Sequence, residues 1–184
     1  KEIIKEGDEV TTRNSDVYSH FNLPNTTFTS APLVTVRKTA WKKALREMEW
    51  FLSGDSKCPE ELLDWWNGQL NPHGRYFGGY GNQLRAFQEP QEFFFDQVEF
   101  IQKALKENPN SRRLLMSVWN PGSMANITTA NDNPNTPTCC HSIVVQFFVR
   151  NGYLSMKTYQ RSADMLLGVP HNWIQSWAML MWFA

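Results

Sequence analysis

The sequence predicts an α+β fold, a twisted, mainly antiparallel or mixed sheet with helices packed on it. Three observations carry that prediction. Apolar residues recur at helical spacing over residues 41–52, 94–105 and 173–184. Two strand-like runs, "HSIVVQFFVR" and "YLSMKTYQ", flank Asn151-Gly152, a strong hairpin signal. Helical and strand-like stretches do not alternate regularly, which disfavours a parallel βαβ sheet.

Residues 10–32 are polar and turn-rich and read as loop and short strand. "PLVTVRK" reads as a strand, after which Thr39 can cap a helix. Trp41, Ala44, Leu45, Met48, Phe51 and Leu52 form its apolar stripe, and Gly54 ends it. Ser56 and Pro59 start a second short helix through "EELLDWW". Residues 67–90 are rich in glycine and aromatics and read as irregular. Phe94, Val98, Ile101 and Leu105 mark a helix of about four turns, stopped by "NPNS". "RRLLMSVW" reads as a strand. The long polar insertion "NPGSMANITTANDNPNTPT" has the length of a functional or mobile loop. The hairpin follows. In the last helix Trp173, Trp177, Leu180 and Ala184 share one face.

The 184 residues suit a single domain spanning 1–184. Net charge is zero, so no diffuse basic field argues for nucleic acid. Cys58, Cys139 and Cys140 are odd in number and include a neighbouring pair, which fits a reducing, cytoplasmic compartment better than a disulfide framework. No apolar run reaches membrane-spanning length, and no cysteine or histidine spacing suggests a metal site. "WIQSWAMLMWFA" stops within an apolar pattern, so a further C-terminal part is expected.

Several groups are dense enough in chemistry to suggest a site. "TYQRSADMLLGVPHNW" places Gln160, Arg161, Ser162 and Asp164 before a Gly168–Pro170 turn, with Asn172 just after it. Arginine binds phosphate through two parallel N–H groups, and serine adds a hydroxyl. Asn172 could cap the last helix, or pair its amide with the O4 and N3–H edge of uracil. Arg13, Arg112 and Arg113 are further anion ligands or solvated surface. Cys140, before a strand and near cations, is a candidate thiolate nucleophile. Cys139 and His141 beside it also suit plain core roles. Glu47 and Glu49 lie in "EMEWF", a stretch hydrophobic all round, which expects at least one buried carboxylate able to move protons.

Together these pieces resemble the thymidylate synthase family, which includes the phage pyrimidine hydroxymethylases. "QRSADMLLGVPHN" resembles its phosphate-and-base motif, "CCHSIVVQFFV" its nucleophile strand and "NSRRLLMSVWNP" its arginine strand. "REMEWFLSGD" resembles its first core helix, and "GGYGNQLRAF" the segment carrying a tyrosine, here Tyr80. The resemblance covers nearly the whole chain and maps onto about the first two-thirds of the family's length.

The resemblance implies a thymidylate synthase-like fold and one-carbon transfer to C5 of dUMP from 5,10-methylenetetrahydrofolate, with no metal. It implies Cys140 as nucleophile and Glu47, Tyr80, His141, Asp164 and Asn172 as further catalytic-site residues. Arg13, Gln160, Arg161, Ser162 and Asn172 would hold the nucleotide, with Arg112 and Arg113 reaching across a homodimer. Leu63, Trp66, Asp164 and Gly168 would face the folate.

Departures bear on the last step. One extra residue between Cys140 and Gln146 calls for a bulge, and Cys139 stands where the family has proline. His171 replaces a phenylalanine, Leu84 a tryptophan, and Leu63 one member of a tryptophan pair whose other member is Trp66; in another alignment Trp65 or Trp66 fills that place. Thinner aromatic cover, and a second glutamate in "REMEW", favour attack of water over hydride. The sequence thus leans narrowly towards a dUMP hydroxymethylase over a thymidylate synthase. A non-catalytic nucleotide-binding protein is the rival of another class.

Overall fold

The computed structural model describes residues 2–11, 15–21, 23–88, 94–124 and 139–184. The chain forms two compact units, Lys1–Ser30 and Ala31–Ala184. The first holds a short helix, α1 (Glu2–Glu6), and an antiparallel ribbon of β1 (Asp8–Thr11) and β2 (Asp16–Ser19). The Thr11 hydroxyl donates to the Asp16 carboxylate at 2.8 Å across the end of the ribbon.

The second unit carries the core. Helix α2 (Trp41–Ser53) buries Ala44, Glu47, Met48, Trp50, Phe51 and Leu52. Gly54 ends it at φ 76°, its N–H returning to the Phe51 carbonyl. Two expectations upstream fail. "PLVTVRK" forms no strand, because Leu33 and Val36 stay exposed and the stretch finds no ladder to join. Thr39 is not the cap: Ala40 holds that position, and the Thr39 hydroxyl turns back to the Val34 carbonyl at 3.3 Å.

The second helix is broken into a 3-10 turn (Glu60–Leu62), α3 (Leu63–Trp66) and another 3-10 turn (Asn67–Gln69). The stretch expected to be irregular contains a helix, α4 (Tyr80–Arg85). Glycines 78, 79 and 81 mask it by lowering helix propensity. Gly81 has a packing purpose: a Cβ there would lie 3.2 Å from the Gly54 Cα, so α4 and the end of α2 meet backbone to backbone.

Strands β3 (Phe87–Gln88) and β4 (Phe94–Phe95) form a two-residue ribbon, and α5 runs Gln97–Glu107. Helix α5 is three turns, not four, because Asp96 caps it by accepting the Glu99 N–H at 2.9 Å. Phe94 therefore stays outside it. The main sheet has the order β5-β6-β7, all antiparallel, with β5 Leu115–Ser117, β6 Val144–Arg150 and β7 Tyr153–Tyr159. Asn151 and Gly152 join β6 to β7 with φ 52° and 78°, the two positive values of a type I′ turn. Met116, Val145 and Phe147 face the core. Leu115, Phe148, Tyr153 and Tyr159 stand exposed on the other face.

Strand β5 is shorter than "RRLLMSVW", and β6 starts at Val144 rather than at His141. The long polar insertion lies mostly outside the described residues. Helix α6 (Val169–Phe183) packs against the core through Ile174, Gln175 and Met179. The stripe of Trp173, Trp177, Leu180 and Ala184 is not its most buried face. The Phe183 ring meets Phe147 at 4.7 Å and sets the helix rotation towards the sheet.

Candidate active site

Cys140 sits just before β6, where the backbone is irregular. Ser142 adopts φ 49°, a left-handed value uncommon for a side-chain-bearing residue. Beyond it, Ile143 rejoins the ladder, donating to the Tyr159 carbonyl and accepting from the Val118 N–H, both at 3.0 Å. The Cys140 carbonyl accepts from the Arg161 N–H at 2.8 Å, so the thiol and the Arg161-Ser162 pair share one end of the sheet.

Tyr80, on the first turn of α4, reaches that end from below. Its hydroxyl oxygen accepts the Cys140 N–H at 2.9 Å and the His141 N–H at 3.3 Å. It also lies 3.7 Å from the Cys140 sulfur. With two N–H donors already on its oxygen, the phenol has its own proton to offer the sulfur. Burial holds the Tyr80 ionisation well above the usual phenol range, so the group stays neutral and keeps that proton. Its ring stacks against Phe51 at 4.4 Å and against His141 at 4.8 Å.

The two neighbours of Cys140 differ from it. Cys139 is buried, and burial is the main cause that pushes its thiol up to about 12. His141 is buried too, and desolvation drops its pKa to about 4. The imidazole is neutral at pH 7 and touches the Ser142 hydroxyl at 3.4 Å. Only Cys140 of the three is partly open to solvent.

Glu47 is the buried carboxylate of the "EMEWF" pair. One of its oxygens accepts the Trp66 indole N–H and the other the Gln175 amide N–H. Burial raises its pKa above the usual carboxylate value, and the two hydrogen bonds oppose that rise. Glu49 points outward and pairs with Arg46 at 2.6 Å.

The Asp164–Asn172 segment is a self-braced turn. Asp164 Oδ1 accepts from the Leu166 and Leu167 N–H groups at 2.9 and 2.8 Å. The Asp164 carbonyl accepts from Gly168 and Val169 at 3.0 and 2.8 Å. Asn172 lies inside the first turn of α6, its N–H bonded to the Gly168 carbonyl, so it does not cap the helix. Its side-chain amide makes no hydrogen bond among the described residues.

His171 ties this turn to the start of α2. Its Nδ1 donates to the Leu167 carbonyl at 2.8 Å, and Nε2 accepts the Ala40 N–H at 3.3 Å. Those partners fix the neutral Nδ1–H tautomer, and burial lowers the ring's pKa. The Trp65 ring lies 5.0 Å away. Arg37 adds a hydrogen bond to the Leu166 carbonyl.

The structure thus brings Cys140, His141, Tyr80, Arg161 and Ser162 together at one sheet end. Arg161 and Ser162 lead into the Asp164–Gly168–Asn172 turn, and α6 links that turn to Glu47 and Trp66. Gln160 folds over its own strand end, its amide donating to the Ser162 carbonyl at 3.0 Å. The Arg161 guanidinium lies 5.2 Å over the Trp119 ring. Leu63 is exposed on α3, while Leu84 is sealed in the core at 1% exposure.

Arg112 and Arg113 do not join the cluster. They precede β5, whose Leu115 pairs with Gln146 and Ser117 with Val144. They lie in a turn, with the Leu115 N–H bonded to the Arg113 carbonyl at 2.8 Å, on the side of β5 that leads away from Val144 and Cys140. Arg13 lies outside the described residues. Among the described residues no group of three or more His, Cys, Asp or Glu is placed to hold a metal ion, and no helix is long and apolar enough to cross a membrane.

The family model described as "Thymidylate synthase" matches residues 1–184. The chain belongs to the thymidylate synthase family. A curated protein named thymidylate synthase, from Baumannia cicadellinicola subsp. Homalodisca coagulata, is 33% identical over 184 residues, covering 97% of this chain and 64% of the relative. The chain therefore spans less than two-thirds of that relative's length. The α+β architecture, with antiparallel sheets and packed helices, agrees with membership in the thymidylate synthase family.

The contacts of three residues at the candidate site are not legible in the sequence. Trp119 under Arg161 gave no signal beyond its place at a strand end. His171 was noticed as a departure, but its bracing role needs α2 to be nearby. Gln175 carries a local signal: it is a polar residue three places after Asn172 in a mostly apolar helix.

Proposed function

We propose that the protein transfers a one-carbon unit from 5,10-methylenetetrahydrofolate to C5 of dUMP through a covalent bond between Cys140 and C6. The observation that carries this reading is the local design around Cys140. A partly open thiol has a neutral Tyr80 hydroxyl 3.7 Å from its sulfur, and its backbone is bonded to Arg161, the first of the candidate phosphate ligands. Cys139, by contrast, is buried and held as a thiol.

In this reading the Cys140 thiolate adds to C6, and C5 gains the electron pair as an enolate. C5 attacks the methylene carbon of the folate. The C5 proton then leaves to a base, and tetrahydrofolate departs to give an exocyclic methylene. Hydride from tetrahydrofolate, followed by expulsion of Cys140, yields dTMP and dihydrofolate. Addition of water instead, with the same expulsion of Cys140, yields 5-hydroxymethyl-dUMP and leaves tetrahydrofolate.

Glu47 handles protons near O4, through water. Asn172 reads the uracil edge, a role supported by an amide that makes no hydrogen bond among the described residues. Arg161, Ser162, Gln160 and Arg13 hold the phosphate, with Arg112 and Arg113 of the partner subunit. His141, neutral and stacked on Tyr80, supports the backbone that carries Cys140. Asp164, Gly168, Trp66 and Leu63 border the folate side.

Of the two products we favour dTMP. Leu84 is a core residue, so its replacement of a tryptophan opens no wall. Trp66 sits on Glu47, Trp65 lies beside His171, and Glu49 is tied to Arg46 rather than serving as a second base. His171 is the observation that favours the hydroxymethyl reading, since a polar ring stands where an apolar one is usual. A homodimer is supported by the exposed apolar face of the sheet, with Leu115, Phe148, Tyr153 and Tyr159. It is also supported by the remoteness of Arg112 and Arg113 from the Cys140 of the same chain. Three unpaired cysteines suit a reducing cytoplasm.

The deciding measurement is the mass of the nucleotide product, with the folate product followed alongside. We expect dTMP and stoichiometric dihydrofolate. 5-Hydroxymethyl-dUMP with tetrahydrofolate would replace the methyl reading by the hydroxymethyl one. Binding of dUMP with no product of either kind would make the protein a nucleotide-binding one.

A further inference from the structure

We propose that Gln175 is a positioning residue for the one-carbon transfer: with the Trp66 indole it grips both oxygens of Glu47 and favours their ionised form. This rests on the reading above, in which Glu47 handles protons at the nucleotide. Gln175 is 0% exposed, midway along α6, and its amide nitrogen donates to Glu47 on α2. Towards an ionised carboxylate, whose oxygens only accept, the amide presents its nitrogen. The amide oxygen then points away, buried and without a hydrogen-bond partner among the described residues.

That orphaned acceptor is costly, and a methionine or leucine would avoid it. What the glutamine provides in exchange is one N–H for Glu47. The Trp66 indole supplies the other. With one donor on each oxygen, the carboxylate is fixed in plane from two helices. Each donor bonds more strongly to a charged oxygen than to a neutral one. The pair therefore works against the desolvation that pushes Glu47 towards its neutral form.

Few charges compete for this role. Lys43 and Arg46 flank Glu47 on α2, but Lys43 is tied to Asp64 at 2.6 Å and Arg46 to Glu49 and Glu61. From the 3-10 side comes Cys58, a thiol pushed up to about 11 by burial first, then by Glu47 and Glu61. Tyr80 on α4 stays neutral. Helix α6 carries no charged residue, and the ring of His171 at its start is neutral. With no cation paired to it among the described residues, Glu47 depends on hydrogen bonds for its ionised state.

The test uses the full chain. Gln175→Met keeps the volume and removes the donor. The acidic limb of the kcat–pH profile should move upward. On the acidic side of that limb kcat should fall about tenfold for each unit by which the limb moves, and recover at higher pH with KM for dUMP little changed. Trp66→Phe should move the same limb in the same direction. A fall in kcat that is equal at every pH would make Gln175 a structural residue and overturn the proposal.

A second measurement needs neither turnover nor a folded Gln175 variant. The infrared carboxyl band of Glu47, assigned by its loss in Glu47→Gln, should show an ionised group at pH 7. A protonated Glu47 at pH 7 would overturn the proposal even if the enzyme is active. Absence of any dUMP turnover with Glu47 ionised would instead remove the functional reading and leave the grip of Gln175 standing.

Discussion

At the scale of single residues, the pair Cys139-Cys140 shows how burial assigns chemistry to chemically identical neighbours. The family resemblance points to Cys140 as nucleophile, with Cys139 beside it a weaker candidate. In the fold, Cys139 is packed in the core and held as a thiol, while Cys140 meets solvent and the Tyr80 hydroxyl. Cys140→Ser should therefore lower kcat on the order of a thousandfold or more, the scale at which a nucleophile is lost. Cys139→Ser should keep most of the turnover and instead lose ~1–3 kcal/mol of stability, because a hydroxyl replaces a buried thiol. Turnover numbers and denaturant midpoints for the two variants check this. The reverse pattern would move the nucleophile to Cys139.

At the scale of elements, two glycines with similar backbone angles separate strain from crowding. Gly54 ends α2 at φ 76°, and Gly152 closes the β6–β7 hairpin at φ 78°. A side chain in that region costs ~1–2 kcal/mol at either place. A Cβ at Gly152 would have open space, whereas at Gly54 it would sit 2.7 Å from the Arg85 Cβ and Cγ, pushing α4 away from α2. Gly54→Ala should destabilise more than Gly152→Ala, by about 1 kcal/mol or more, the scale of overpacking. Since α4 carries Tyr80, Gly54→Ala should also lower kcat, and Gly152→Ala should not. Urea titrations alongside turnover read both effects; equal losses of stability would mean that the α2–α4 contact yields freely.

At the scale of the whole molecule, the sheet separates groups that the proposed reaction needs together. Cys140 and Arg161 lie at one end, Arg112 and Arg113 at the other. A second copy joined through the exposed sheet face would supply the arginines from outside. Mixing Cys140→Ser subunits with Arg112→Ala/Arg113→Ala subunits should then restore activity. Random pairing makes half the dimers mixed, and each mixed dimer has one complete site, so about a quarter of the native rate is expected. Assays of the mixture at low dUMP check this. No recovery in verified mixed dimers would place the arginines in service of their own chain, or outside the site.

The sequence by itself determined the α+β class, the hairpin at Asn151-Gly152, the end of α2 at Gly54 and most members of the candidate site. Those features rest on local chemistry: apolar periodicity, a turn that needs two positive φ values, and short motifs of polar residues. Tertiary structure decided the rest, because burial and partners depend on what packs alongside. "PLVTVRK" has strand composition but no ladder to join. Helix α4 forms against α2 despite its glycines. Asn172 falls one turn inside α6 rather than at its cap. Leu84, read as a gap in an aromatic wall, proved to be core. Which glutamate is buried, which cysteine is open, and that Gln175 meets Glu47 from 128 positions away are outcomes of helix packing, which no spacing along the chain encodes.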